Sequence, residues 1–239
     1  MDNTFDINGL VTWSEKDIKT RNWLIDFFSI SVRDRLLGMN QAWSFEQIEA
    51  PLLMPVNLLS DAYDAETDVF DQRVADEHDH WLILRPETTA SSYAHMMQRL
   101  ESHDKVRLPY CCWQYGKSFR REQIQPVKHM RLKEFYQLEF QCAYSADSGN
   151  DYHGSFWPHA EAMFHQALGL PTRIIESDRL PSYSTLTMDV EVNNGEKWME
   201  LCSISKRTDF PTQIKNKDVA VLEIAIGLDR CIYCFNNSP

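Results

Sequence analysis

The residues of this chain best suited to chemistry fall in three clusters, each where an apolar run meets charge. The first is Leu84-Arg85-Pro86-Glu87-Thr88-Thr89, where a short apolar stretch ends in charged residues and a helical pattern begins. The second runs from Phe119-Arg120-Arg121-Glu122 to His129-Met130-Arg131-Leu132-Lys133-Glu134-Phe135-Tyr136-Gln137-Leu138-Glu139. The third is Glu223-Ile224-Ala225-Ile226-Gly227-Leu228-Asp229-Arg230, an acidic residue inside an apolar run followed by a glycine and an arginine. Alternating charges in a hairpin are usually a solvated face with cross-strand pairs. Asp229-Arg230 alone signals very little. Glu223 resists that explanation: apolar neighbours on both sides place it in a central strand, and a buried carboxylate needs a cation or a metal as partner.

These residue types suit a nucleoside triphosphate. An arginine fork holds phosphate oxygens bidentately and stays charged at any relevant pH. Phe135, on the same strand face as Lys133 and Gln137, offers a ring on which a purine can stack, with an arginine over the other side of the base. Acidic residues can coordinate magnesium through oxygen and can bind a substrate ammonium. Neither a GxGxxG nor a GxxxxGK[ST] loop is present, so side chains on a sheet must do the holding.

The elements that must position these clusters can be read from periodicity. Ser14 to Gly38 predicts a helix, with Leu24, Phe27, Phe28, Val32 and Leu36 as its apolar stripe. Trp43 to Pro55 reads as one strand ending at prolines, Trp81 to Leu84 as a short buried strand, and Thr88 to His103 as a helix. Tyr110 to Arg120 and Leu132 to Tyr144 read as strands of an antiparallel hairpin across the polar loop Arg121 to Arg131. A helix from Pro158 closes at Gly169 and Pro171. Thr185 to Val192 and Lys197 to Ile204 flank Asn193-Asn194-Gly195, a hairpin turn signal; Val219 to Ala225 is a buried strand, and Gly227 opens a terminal helix. Hairpin strands flanked by helices make the fold class α+β, with a mainly antiparallel sheet, in one domain spanning residues 1–239.

Composition agrees. With 239 residues, 43% hydrophobic and 12% aromatic, the chain can bury a substantial core. A formal net charge of −11 argues against a protein whose main task is gripping nucleic acid. The six cysteines do not form two CxxC pairs. Cys111 and Cys112 point to opposite faces of a strand, and all six are expected to be reduced, buried thiols. No run of about 18 apolar residues suggests a membrane span, and the polar, acidic start (Met1 to Asn8) is unlike a secretory or transit signal, so a cytoplasmic protein is expected.

Taken in order, the three clusters resemble the signature motifs of class II aminoacyl-tRNA synthetases. Phe119-Arg-x-Glu … Arg131-Leu-Lys-Glu-Phe135 resembles the second motif, and the stretch ending Gly227-Leu-Asp-Arg230 the third. Arg33 to Pro55 is similar to the weaker, dimer-forming first motif. Within the class the resemblance is to glycyl-tRNA synthetase. Leu84 to Thr89 is similar to its LRPETA segment, and Leu108 to Glu122 to its LPF-x-x-x-QIGK-x-FRNE stretch. Tyr183 to Val192 and Trp198 to Phe210 echo YAxDxWDxEV and GWxE…GIADRxDYDL, so the resemblance covers roughly residues 20–236.

The resemblance implies roles. Arg120 would hold the ATP α-phosphate and the substrate carboxylate; Glu122 would accept from the adenine amino group, and Phe135 would stack on the ring. Arg131 would hold the γ-phosphate, Arg230 would cover adenine and phosphate, and Glu223 would bind Mg2+. Glu87 and Glu139 would hold the amino group of a small amino acid, with Gln137 and Ala225 completing that subsite. The implied reaction is formation of an aminoacyl adenylate, with the aminoacyl group passed to a tRNA acceptor end or to a carrier protein or small molecule. The alternative is a non-catalytic relative with a regulatory or assembly role. Ile224-Ala225 stands where the family has Pro-Ser, Lys206 replaces an aspartate of the GIADR-like stretch, and Ile124-Gln125-Pro126 replaces Ser-Pro-Arg in the loop. The chain stops at Pro239, just after the third motif, so an anticodon-binding domain is not expected. A homodimer is implied by the resemblance alone.

Overall fold

A computed structural model describes residues 9–75, 81–102, 107–121, 130–178, 180–210, 213–214 and 217–236. Helix α1 (Glu15–Met39) starts where Ser14 and Asp17 cap each other. The Asp17 N–H donates to Ser14 Oγ (3.3 Å), and the Ser14 N–H donates to Asp17 Oδ2 (2.9 Å). Leu24, Phe28, Val32 and Leu36 of the expected stripe are fully buried, and Phe27 is half-buried at its margin.

The segment expected as one strand from Trp43 to Pro55 is instead two, β1 (Ser44–Gln47) and β2 (Leu53–Pro55), in different sheets. Pro51 has no N–H to give to a ladder. The carbonyls of Ala50 and Pro51 turn to the Arg85 guanidinium, accepting from Nη1 at 3.1 and 3.3 Å. There follow β3 (Asp71–Ala75), β4 (Trp81–Leu84), α2 (Thr89–Ser102), β5 (Tyr110–Phe119) and β6 (Glu134–Ser145). The remaining elements are α3 (Tyr152–Leu168), β7 (Thr172–Glu176), β8 (Ser184–Asn193), β9 (Trp198–Arg207), β10 (Gln213–Ile214), β11 (Lys217–Gly227) and α4 (Leu228–Asn236). Helix α3 begins six residues before the expected Pro158, because Asp151 caps it by accepting from the Gly154 N–H at 2.9 Å. Pro158 then falls inside the helix, forgoing one backbone bond. The short strands β3, β7 and β10 have no counterpart among the expected elements.

The main sheet has the order β1-β5-β6-β11-β9-β8-β7, with β10 on β11; β2-β4-β3 form a second, smaller sheet. Among the described residues the β1–β5 pairing is parallel and all others are antiparallel, as the α+β expectation requires. The β8–β9 hairpin turns at Gly195, whose φ of 92° is ready for a residue without Cβ.

Strand alternation gives the sheet two unlike faces. One carries Cys111, Leu138, Phe140, Cys142, Val190, Cys202, Ile204, Leu222, Ile224 and Ile226, all buried under α1, α3 and α4. The other carries Gln114, Glu139, Gln141, Glu223, Ser203, Ser205 and Asp189, a polar row to which five adjacent strands contribute. Cys111 and Cys112 do face opposite ways, and all six cysteines are free and buried. The first end of the polar face is closed by α2, whose Met96 and Leu100 pack on Tyr110, Cys112, Ala143, Val219 and Val221.

Arg85 locks these layers together. It is 2% exposed; Nε donates to the Lys117 carbonyl (2.9 Å) and Nη1 also to Gln114 Oε1 (3.3 Å). Its own backbone N–H donates to Leu52 O, and its carbonyl accepts from the Phe119 N–H, both at 2.9 Å. The guanidinium passes through space left by Gly116: a Cβ there would lie 2.3 Å from Arg85 Nη2. Gly116→Ala is therefore expected to lose about 1–3 kcal/mol in urea unfolding, by displacing a pinned, buried cation.

Candidate active site

Beyond α2 the polar face is open, and a cavity of about 250 Å³ lies over it. Its floor is built by residues at alternate positions of three neighbouring strands: Phe135, Gln137 and Glu139 on β6, Glu223, Ala225 and Gly227 on β11, and Leu201 and Ser203 on β9. Glu87 and Thr89 enter from the start of α2, and Tyr63 and Tyr183 from loops.

One side of the floor is acidic and buried. Glu87, Glu139 and Glu223 are each buried. Gln141 Nε2 donates to both Glu139 Oε1 (2.7 Å) and Glu223 Oε2 (2.6 Å), and Thr89 Oγ1 donates to Glu139 Oε1 (2.7 Å). The Tyr63 hydroxyl donates to Glu87 Oε2 at 3.0 Å. The cation is Arg207, whose side chain is 1% exposed. Its Nη1 lies 2.5 Å from Glu223 Oε2; Nε and Nη2 grip Asp209 in a fork at 2.9 and 2.5 Å; Nη2 is 3.9 Å from Glu87 Oε1. The guanidinium stacks on Tyr183 at 3.8 Å, and Tyr93 lies 5.5 Å away on its own bond to Asp209.

Burial disfavours the charge on two of these carboxylates, Glu223 and Glu87. It pushes Glu223 up to about 7, with Glu139 and Glu87 adding to the rise and Arg207 opposing it. Glu87 is raised as well, first by burial and then by Glu139, against Arg207, Arg120 and the Tyr63 hydroxyl. Burial also works against the charge on Arg207, but Glu223, Asp209 and their neighbours hold it above the ordinary arginine range.

The other side is lined by arginines. Arg120 donates from Nε to Pro86 O (3.0 Å), and its guanidinium lies 5.2 Å from both the Tyr63 and Phe135 rings. Arg131 follows Met130, which is held at φ 51° in the left-handed region. Arg230, on the first turn of α4, donates from Nη1 to Glu200 O at 2.9 Å and lies 3.7 Å from Glu200 Oε2. Ser203 Oγ, on the same wall, donates to Asp189 Oδ1 at 2.8 Å.

The structure thus brings nine of the ten predicted site residues to one cavity: Glu87, Arg120, Arg131, Phe135, Gln137, Glu139, Glu223, Ala225 and Arg230. Glu122 lies outside the described residues. Two arrangements bear on the expected roles. The Phe135 ring is approached by Arg120, while Arg230 is held at Glu200. Glu223, expected as a magnesium ligand, spends Oε2 on Arg207 and Gln141, because a carboxylate this buried needs a cation beside it at all times. Sequence reasoning missed Arg207, Asp209, Gln141, Thr89, Tyr63 and Tyr183 as site residues. The signal for Arg207 was present in the Arg207-Thr208-Asp209-Phe210 echo, and in the rule that an interior glutamate requires a partner.

Comparison with known proteins agrees with this architecture. Residues 70–238 match the family described as tRNA synthetase class II core domain (G, H, P, S and T), and the chain belongs to that family. It is 30% identical over 163 residues to a glycine–tRNA ligase of Mycoplasma capricolum, covering 64% of this chain and 35% of the relative. It is 27% identical over 186 residues to that of Clostridium kluyveri, covering 69% and 40%. The aligned regions therefore span well under half the length of these relatives. Among solved structures, the prolyl-tRNA synthetase of Cryptosporidium parvum complexed with L-proline and AMP superposes on 98% of this chain and 48% of its own, with a TM-score of 0.70 at 14% identity. That of Giardia lamblia in complex with prolyl-adenylate covers 97% and 49%, with a TM-score of 0.72 at 15% identity. At those identities the likeness is one of fold.

Removing the buried cation exposes the cost of the acidic floor. Arg207→Met is expected to lower unfolding free energy by about 3–5 kcal/mol at pH 8. The deficit shrinks as pH falls toward 6, since Glu223 and Glu87, already raised, take up protons and cease to repel. Urea unfolding at the two pH values reads both effects.

Proposed function

We propose that the cavity binds ATP beside a small amino acid and joins them as an aminoacyl adenylate, releasing pyrophosphate. The observation that carries this reading is the polarity of one cavity. A wall with three arginines, Arg120, Arg131 and Arg230, adjoins a buried floor with three carboxylates, Glu87, Glu139 and Glu223. A triphosphate fits the first, an ammonium the second, and an α-amino acid carries an ammonium and a carboxylate one carbon apart. Arg120 lies at the junction, where it can hold the amino-acid carboxylate against the α-phosphate. A carboxylate oxygen then bonds to the α-phosphorus as the bond from phosphorus to the pyrophosphate oxygen breaks. No side-chain nucleophile is needed; positioning and charge neutralisation supply the rate. The L-proline, AMP and prolyl-adenylate named for the structural neighbours support the same chemistry here.

Glycine is the proposed amino acid, supported by the glycine–tRNA ligases among the relatives. The acceptor is proposed to be the end of a tRNA, with a carrier protein or small molecule as the second reading, favoured by the net charge of −11. Mg2+ would shield the phosphates of bound ATP. Glu223, whose Oε2 is taken by Arg207 and Gln141, would offer it the other oxygen, Oε1, and Glu200 is a further carboxylate on the same cavity. Family likeness supports a homodimer built on the Arg33–Pro55 segment.

The test is ATP–pyrophosphate exchange across a panel of amino acids. Exchange with a small amino acid is expected, and Arg120→Ala should lower kcat/KM by about 10²–10³-fold. ATP binding without exchange for any amino acid would instead favour a non-catalytic relative. In the active protein, KM for the amino acid should rise as pH falls through about 7, because Glu223 and Glu87 hold an ammonium only when ionised. KM for ATP should change less over the same range.

A further inference from the structure

Where β11 ends, a hydrogen-bonding position on β6 loses its strand partner. The register pairs Ile226 with Leu138 and Gly227 with Gln137, so residue 228 would come next, opposite Tyr136. At Leu228 the chain instead turns into α4. The vacated place is taken by a side chain: the Tyr136 N–H donates to Asp229 Oδ2 at 2.6 Å. Asp229 is buried, and among the described residues its Oδ1 has no hydrogen-bond partner. An interior carboxylate with one oxygen unsatisfied is costly. An aliphatic side chain would avoid that cost.

The position of this bond gives the cost a purpose. Tyr136 directly follows Phe135, and Asp229 directly precedes Arg230; all four residues line the cavity. We propose that Asp229 is a positioning residue for the nucleotide clamp, tying the first turn of α4 to β6 so that Arg230 and Phe135 keep a fixed separation. The proposal rests on the reading of this cavity as an ATP site. It assigns Asp229 no contact with the nucleotide. The acidic floor of Glu87, Glu139 and Glu223 is held by Arg207, Gln141, Thr89 and Tyr63, and so stands independently of this tie.

The two ends of the cavity should therefore respond differently to substitution. In the full chain, Asp229→Ala is expected to raise KM for ATP about ten-fold in pyrophosphate exchange with glycine, and to weaken ATP binding by calorimetry to the same extent. KM for glycine should stay within about two-fold. Asp229→Asn keeps an acceptor for the Tyr136 N–H and should recover most of the ATP affinity. Should Asp229→Ala fail to fold, Asp229→Glu, whose longer arm displaces α4, should show the same selective rise in KM for ATP. An unchanged KM for ATP, a parallel rise in both KM values, or an asparagine variant no better than alanine overturns the proposal. A wild-type chain that binds no ATP overturns the nucleotide reading and this proposal with it, whereas normal wild-type binding with an unaffected Asp229→Ala overturns this proposal alone.

Discussion

An arginine enclosed by carboxylates decides what this cavity can hold. Arg207 is paired with Glu223, forked onto Asp209 and within reach of Glu87, and it stacks on Tyr183. Isolated, any of these charges would be too costly to bury; together they satisfy one another in part. The count does not close. One interior guanidinium faces Asp209, Glu223 and Glu87, while Glu139 accepts from the Thr89 hydroxyl and the Gln141 amide. Carboxylates thus outnumber the guanidinium buried among them, and burial raises Glu223 and Glu87 toward their neutral forms. Such an arrangement is poor for stability and good for selecting a ligand.

The scaffold around it exists to hold those charges still. A sheet with one largely apolar face, pressed under α1, α3 and α4, leaves its polar face nowhere to move. Arg85, threaded past Gly116, fastens the β4–α2 turn to β5 and to the 50–52 crossing, so that Glu87 and Thr89 arrive opposite Glu139. Asn236 Nδ2 donates to Asp17 Oδ1 at 2.6 Å, closing the end of α4 onto the cap of α1. Without a phosphate-binding loop, the geometry of the site is the geometry of the strands. That explains why a cation as expensive to bury as Arg85 is tolerated two residues from the acidic floor.

Much of this was legible in the sequence because it is local. Helix α1, the β5–β6 and β8–β9 hairpins and the β11–α4 junction each announce themselves by periodicity, turn residues or a glycine within about a dozen positions. The arginines and carboxylates of the three clusters were legible for the same reason. What failed was non-local. The 43–55 segment divides because Arg85, thirty-odd residues later, claims its carbonyls. Helix α3 starts early because a cap at Asp151 outweighs the usual preference for proline in the first turn. Glu223 was correctly read as a buried carboxylate needing a cation. Its partner could not be read, since an arginine on β9 and a metal ion answer the same electrostatic need, and only the register of Glu223 against Ser205 brings Arg207 within reach.

Donor counting bears on Ala225, where the family has a hydroxyl. A primary ammonium has three N–H donors, and the floor offers three carboxylates, Glu87, Glu139 and Glu223, each with lone pairs left after its internal bonds. On the proposed reading, the ammonium can be satisfied without a hydroxyl at position 225, and the methyl of Ala225 only shapes the wall. A secondary ammonium such as that of proline has two N–H donors. It would leave one buried carboxylate oxygen facing carbon, at a cost of about 1–3 kcal/mol. The fold shared with prolyl enzymes therefore says little about the substrate. On the proposed reading, the carboxylates of the floor, which come from side chains rather than from topology, suit an amino acid with a primary amine.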